Sequence, residues 1–385
     1  METTDVSVES HLKGQLAFLR RSGLTVHVIA RDTGRLDRIL HEDGVSGHSR
    51  PLRRDPSPFA DIAGLAMLLI DIARLRPRMV VYGTPKGALL ASMAARVIGV
   101  PHRVYLVFGI RAETASGVTR RILLSGEALA MRLSTVQVAV GAGLMKRMRD
   151  LGLPTGNIVV VGAGSANGVD VQHFRAARAE RTSIETQPIH SDAVRPTVVG
   201  FVGRITADKG IDVLVGALVE LRTSFPQFRL RLVGPPESLE SLSDATRAAL
   251  AQPWVTMTGD LPDTASAYPE MDIFCLPSRR EGLPTVILEA AAAGVPIVAT
   301  NATGVADVVI DGVTGTIVEI DAVHDLAAAI LAVASDPYSA KVKAVAAQQF
   351  VAERFDQTVV WEQMRMFYSR MLSGSDEEAP HGSER

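Results

Sequence analysis

An α/β fold of two doubly wound parallel sheets, one in each half of the chain, is what this sequence predicts. Three observations carry it. Short apolar runs alternate with longer amphipathic stretches from one end to the other, the pattern of strands joined by crossover helices. With 385 residues and 47% hydrophobic side chains, the chain can bury two cores of ordinary domain size. The halves also differ in charge: residues 1–175 hold 23 Lys and Arg against 14 Asp and Glu, residues 176–385 hold 17 against 28.

In the first half, a helix over about Val8 to Arg21 leads to a strand at 24–30, then a polar loop through Pro56. A helix from Phe59 to Leu75 precedes the strand RMVVYG, and a helix over 88–99 precedes HRVYLVF. A helix from Val118 to Leu133, the strand TVQVAV, a helix from Leu144 to Leu151 and the strand NIVVV complete the domain. The second half repeats the rhythm with strands TVVGFVG, FRLRLVG, WVTMTG, DIFCLP and VPIVAT. Helices between them run from Lys209 to Ser224, through Leu250, around Ala265 to Tyr268, and after Pro284. The start is irregular, because METTDVSVES has no apolar run before its first helix. Either the chain starts short of a first central strand, as a truncated or misassigned start would, or Val6 to Val8 makes a poor substitute.

Domain 1–175 is followed by a polar stretch without apolar periodicity, read as a linker over 176–195. A second domain is expected over 196–355, a last helix over 356–372 and a disordered tail over 373–385. The single Cys275 excludes an internal disulfide and fits a reducing, cytoplasmic setting. No basic region followed by an apolar run opens the chain, so no secretory signal is read. The most apolar stretch, Ile62 to Ile70, is far shorter than the roughly 20 residues of a membrane span.

Chemistry is expected between Pro277 and Thr300. A helix entered at Pro284 would leave the amides of Gly282, Leu283, Thr285 and Val286 at its positive end, where phosphate oxygens or sugar hydroxyls are accepted. Glu281 precedes that helix and Glu289 lies about one and a half turns inside it, too far apart to act as a dyad. They are two contacts along one bound molecule, unless Glu281 only balances the helix dipole and Glu289 is solvated. The stretch VGAGSANG begins like a dinucleotide fingerprint, but Asn167 stands where the third glycine belongs and no long helix is expected after it. A phosphate-binding loop of the Walker type, a G-x-S-x-G elbow and a short-spaced metal motif are absent, so neither a bound cofactor nor a metal is predicted. No basic run is interleaved with aromatic residues, which argues against nucleic acid.

EGLPTVILE resembles the Glu, seven residues, Glu motif of the family-four retaining glycosyltransferases. NGVDVQHF, FVGRITADKG and GVADVVIDGVTG resemble further stretches of that family in the same order, the four together spanning residues 167–315. The resemblance implies the GT-B fold, two Rossmann-like domains facing a cleft. It places Gly203, Arg204 and Lys209 at the donor diphosphate, Glu281 and the 282–285 backbone at the sugar, Glu289 at the ribose and Asn167 at a turn near the donor. Arg204 and Lys209 would neutralise the leaving group as its charge develops. In the first domain GIRAETASG resembles a segment of bacterial polysaccharide-assembly members, and on that basis Lys86, Arg111 and Glu113 are the acceptor-side candidates. Arg111 and Glu113 read equally as a surface ion pair. Phe108 stands where many relatives carry His or Arg, so the role of that basic residue is not carried over.

The resemblance therefore implies metal-independent transfer of a sugar, with retention, from a nucleotide diphosphate sugar to a hydroxyl acceptor. Front-face attack is implied, with the leaving phosphate taking the acceptor proton. Domain closure would exclude water. The acceptor expected is a polyprenyl-linked saccharide in surface polysaccharide assembly at the inner membrane face. The basic first half fits a diphosphate acceptor or an anionic membrane face, or is simply solvated. A nucleotide-sugar epimerase of like fold and a non-catalytic sugar-nucleotide-binding protein are the alternatives.

Overall fold

A computed structural model describes residues 1–52, 57–184 and 195–374. The chain forms two compact units. One comprises residues 1–140, 148–167 and those from Val360 on; the other comprises 141–147 and 168–359.

The second unit holds one fully parallel six-stranded sheet. Its strands are β7 (Thr197–Val202), β8 (Phe228–Val233), β9 (Val255–Gly259), β10 (Ile273–Leu276), β11 (Ile297–Thr300) and β12 (Thr316–Val318), in the order β12-β11-β10-β7-β8-β9. Order reverses beside β7, so the loops after β7 and β10 leave adjacent strands in opposite senses around the sheet. Such a switch point, at the carboxyl ends of the strands, is where open α/β sheets bind ligands. The central strands are buried on both faces: every residue of β10 and β11 lies in the core, which is why they read as unbroken apolar runs.

In the first unit β1 (His27–Ala30) pairs with β2 (Ser46–Ser49), while β3 (Met79–Tyr82), β4 (His102–Val107), β5 (Val136–Ala139) and β6 (Ile158–Val159) form a separate parallel sheet. Two pieces of the polar loop read through Pro56 are regular structure: the helix Leu36–Asp43 and the strand β2. The helix is short but buries Leu36 and Ile39, and β2 has no apolar alternation to reveal it. The single helix expected from Val8 is instead two, Asp5–Leu12 and Gln15–Arg21. Gly14 separates them at φ 76, with its bare Cα against the Trp361 ring. Val6 to Val8 is thus helical and substitutes for no strand.

The stretch read as a linker over 176–195 is helical as far as Ile184, in the helix Val171–Ile184; the remainder up to 194 lies outside the described residues. Val171 and Phe174 anchor this helix in the second unit, Phe174 edge-on to Tyr268 with ring centroids 5.6 Å apart. The polar run that follows is rich in Ala and Arg, both good helix formers, and continues the helix. A helix therefore does follow the VGAGSANG turn, although the missing third glycine still separates it from a dinucleotide fingerprint. The last helix, Gln357–Ser373, places Val360, Met364 and Tyr368 in a cluster with Leu19, Val104, Leu106 and Val138 of the first unit, and Phe367 packs against that cluster. All but the first two residues of the tail expected over 373–385 lie outside the described residues.

Beneath the first unit's sheet Glu127 is 6% exposed and accepts a 2.6 Å hydrogen bond from the Tyr105 hydroxyl. Burial pushes its carboxyl up to about 7, against the smaller opposing effect of that hydrogen bond. A carboxyl whose proton is held more tightly in the folded state adds stability below its ordinary value near 4.5. That contribution is lost as pH rises through 7. Glu127→Gln keeps an acceptor for Tyr105 without the charge. It is expected to raise stability at pH 8 by on the order of 3 kcal/mol and to change it little at pH 4. Thermal melts of both proteins across that range check this; an equal effect at both pH values rules it out.

Candidate active site

β7 ends at Val202, where the Gly203 amide donates to the Val233 carbonyl at 2.9 Å and the chain turns outward. Arg204 follows, its guanidinium 3.0 Å from Glu237 Oε2 and 3.8 Å from Asp208 Oδ2. Arg280, from the loop after β10, reaches the same Asp208 oxygen at 3.0 Å. Burial works to raise the Asp208 carboxyl. The Thr206 hydroxyl and the charges of Arg280, Arg204 and Lys209 outweigh it and hold the group below the ordinary range. Two arginines and a lysine are thus gathered at one strand end around one anionic centre.

A one-turn 3₁₀ helix, Ala207–Lys209, presents Lys209, whose Nζ lies 2.7 Å from Glu281 Oε1. Their side chains are only 19% and 11% exposed, so the pair is partly desolvated and stronger than a surface ion pair. The two residues read from sequence as separate contacts form one unit. Gly282 and Leu283 then bend the chain into the helix Thr285–Ala292. Pro284 is its N-cap and not its first helical residue, which corrects the expected entry by one position; no side chain caps the end. The partial positive charge is therefore carried by Thr285, exposed, and Val286.

Glu289 is the fifth residue of that helix. Its Oε2 accepts from the Tyr268 hydroxyl at 2.7 Å and from the Thr264 hydroxyl at 3.0 Å. It retains some surface, yet burial raises its carboxyl above the usual range against those two hydrogen bonds. A solvated residue is excluded. Glu281 and Glu289 have disjoint partners, as the separation of about one and a half turns requires.

Backbone contacts hold these loops in place. Gly210, at φ 73, lies so close to β10 that a Cβ there would sit 1.9 Å from the Pro277 carbonyl oxygen. Gly304, at φ 78, supports the bend before the helix, since a Cβ would meet the Gly282 oxygen at 2.0 Å. In both places only glycine allows the approach. Asp307 accepts from the Gly143 amide at 2.9 and 3.1 Å with its two oxygens.

The first-unit candidates are differently placed. Lys86 is in the first turn of the helix Pro85–Ile98, at the carboxyl end of β3, and its Nζ meets Asp61 at 2.5 Å. Arg111 and Glu113 open and close a single 3₁₀ turn after β4, Arg111 exposed and Glu113 half-buried. Asn167 is committed to structure. Its Oδ1 accepts from Trp361 Nε1 at 2.7 Å and its Nδ2 donates to the Lys13 carbonyl at 3.1 Å, so its amide ties three chain segments together.

Sequence reasoning missed Asp208, Glu237, Arg280, Thr264 and Tyr268. Asp208 stands beside Lys209 in a motif already singled out, and Arg280 beside Glu281, so adjacency could have found those two. Thr264 and Tyr268 sit on short 3₁₀ turns whose contact with Glu289 has no local signature.

Two family models match the chain. One described as Glycosyl transferase 4-like domain covers residues 8–164, and one described as Glycosyl transferases group 1 covers 196–336. The capsular polysaccharide biosynthesis glycosyltransferase CapM of Staphylococcus aureus is 30% identical over 367 residues, 95% of each chain. A GDP-mannose-dependent phosphatidylinositol monomannoside mannosyltransferase of Mycolicibacterium smegmatis is 32% identical over 225 residues, 54% of this chain and 56% of that protein. Among solved structures, sucrose-phosphate synthase from Thermosynechococcus elongatus superposes with a TM-score of 0.78 at 20% identity, covering 97% of this chain and 96% of the other. Anabaena HepE in complex with UDP and glucose gives 0.75 at 18% identity, covering 92% and 95%. These neighbours establish the GT-B fold expected from the sequence.

Proposed function

The chain belongs to the glycosyltransferases built from a glycosyl transferase 4-like domain and a group 1 domain. From that premise we propose that it moves a sugar from a nucleoside diphosphate sugar to a lipid-linked saccharide in surface polysaccharide assembly. Transfer proceeds with retention and without a bound metal.

One observation carries the donor half: the cations Arg204 and Lys209 converge at the end of β7 beside the uncapped helix start at Thr285, with Glu281 held between them and the helix. Phosphate oxygens are the chemistry that such a group of donors and cations recognises. In this reading Lys209 and Arg204 take the diphosphate, Glu281 and the amides at the helix start hold sugar hydroxyls, and Glu289 accepts from the ribose. The acceptor oxygen attacks the anomeric carbon on the face from which the phosphate leaves. The bond to phosphate breaks, and the acceptor proton passes to a phosphate oxygen. Glu281 is not the nucleophile, since the Lys209 ammonium occupies its carboxylate.

Lys86, Arg111 and Glu113 remain the acceptor-side residues of this proposal, and the CapM relationship supports a surface-polysaccharide acceptor. Among the described residues no helix is long and apolar enough to cross a membrane. Peripheral attachment is supported by apolar side chains that start two helices of the first unit, both packed on the helix Pro85–Ile98: Phe59 and Ile62 (88% and 68% exposed), Val118 and Ile122 (70% and 65%), with Arg120 and Arg121 beside the latter pair. Such a surface inserts into an anionic interface.

The test is thermal stabilisation by UDP, GDP, dTDP and ADP, followed by transfer from the matching donor to acceptor in anionic or neutral vesicles with EDTA present. One diphosphate is expected to raise the melting temperature, by the equivalent of about 2.7 kcal/mol at a hundredfold excess over Kd. Product from anionic vesicles should carry the donor's anomeric configuration. Inverted product, dependence on a metal, or equal rates on neutral vesicles overturns the corresponding part of the proposal.

A further inference from the structure

The donor reading places Arg204 on the diphosphate, yet its guanidinium is already held by a carboxylate from the next loop of the sheet. The loops that follow β7 and β8 run side by side. The Ile205 amide donates to the Pro235 carbonyl at 3.0 Å, and Ile205 forms a parallel bridge with Pro236. Gly234, at φ 130, allows the approach, since a Cβ there would sit 2.1 Å from the Gly203 oxygen. This backbone pairing sets Glu237 beside Arg204, whose Nη1 donates to Glu237 Oε2 at 3.0 Å.

Charge at this end of the sheet is balanced, with Arg204, Lys209 and Arg280 facing Asp208, Glu237 and Glu281. A diphosphate adds negative charge on each of its phosphates, so one of these carboxylates has to give way. They differ in how firmly they are held. Glu281 is 11% exposed against Lys209, and Asp208 takes the Thr206 hydroxyl as well as Arg280 and Arg204. Arg204 and Glu237, 38% and 44% exposed, form the most open of these pairs. An ion pair so exposed adds little stability and is readily opened. Glu237 can leave by rotating its own side chain while the paired backbone beneath it stays fixed.

We propose that Glu237 is a displaceable counter-ion of Arg204, which holds the guanidinium at the diphosphate subsite and competes with bound phosphates for it. The inference rests on the assignment of Arg204 to the donor diphosphate. Its consequence is release. Arg204 attracts the donor and the nucleoside diphosphate left after transfer alike, and a product held too firmly blocks the next turnover. A carboxylate fixed on the neighbouring loop lowers the affinity for both and takes Arg204 back into an ion pair as the product departs.

The experiment is calorimetric titration of the full chain and of Glu237→Gln with whichever of UDP, GDP, dTDP or ADP stabilises the parent, at low ionic strength, where the pair is least screened. Glu237→Gln is expected to lower Kd by about three- to fivefold, and the inhibition constant of the same nucleotide in the transfer assay by the same factor. The matching nucleoside, which has no phosphates, should bind both proteins equally. In an Arg204→Ala background, Glu237→Gln should change Kd by less than about 1.5-fold. Unchanged or weaker nucleotide binding by Glu237→Gln overturns the proposal. So does a gain that extends to the nucleoside or persists undiminished in the Arg204→Ala background. A lower melting temperature with Kd unchanged also overturns it and assigns Glu237 to fold stability alone. If none of the four nucleotides binds the parent, the donor assignment itself fails and this inference with it; binding by the parent without a gain in the variant removes the inference only.

Discussion

Replacing Lys209 by alanine is expected to lower the rate of sugar transfer by about two to three orders of magnitude, the loss typical when one preorganised donor to developing negative charge is removed. Lys209 comes from the turn after β7 and meets Glu281 from the loop after β10. Its deletion therefore has two consequences, a missing cation and a carboxylate left partly desolvated. The double variant Lys209→Ala with Glu281→Gln separates them. If Lys209 serves only to hold Glu281, the double variant is no slower than Glu281→Gln alone; the proposed contact with the diphosphate predicts a further loss on top of that single variant. Lys209→Arg should retain a measurable part of the rate, because charge is kept while geometry changes. A rate for Lys209→Ala within threefold of the parent rejects the assignment.

Gly304→Ala is expected to cost about 3 kcal/mol of stability and to abolish detectable donor binding. The backbone at φ 78 disfavours any side chain, and the added methyl would lie 2.0 Å from the Gly282 oxygen, so the bend leading to the Thr285 helix must move. Gly312 supplies the control. It has φ 73, but nothing lies within 4 Å of its would-be Cβ, so Gly312→Ala pays only the conformational cost of about 1 to 2 kcal/mol and leaves binding intact. Melting curves and nucleotide titrations of the two variants decide it. Equal effects would show that close packing against Gly282 contributes nothing.

The architecture was legible because strands such as IFCL and IVAT are buried on both faces and the helices between them carry one apolar stripe. Local pattern and global layering agree there. Elements whose stability comes from distant partners were not legible. β2 is a strand because β1 lies beside it, and Gly14 breaks a helix because the Trp361 ring occupies the space. The site shows the same division. Arg204, Lys209, Glu281 and Glu289 could be named from their motifs, but the sequence separation of 72 between Lys209 and Glu281 hid that they pair. The structural role of Asn167 was hidden in the same way, since its hydrogen bonds reach 154 residues back and 194 forward.

That last span governs the order in which the protein can be completed. The seam of the first unit formed by Leu19, Val104, Leu106 and Val138 is closed by Val360, Met364 and Tyr368. During synthesis the whole second unit emerges before those closing residues do. The earlier-made unit therefore keeps an apolar strip uncovered for as long as the later-made one is being synthesised, and the first unit's core is completed only when the last helix has been made.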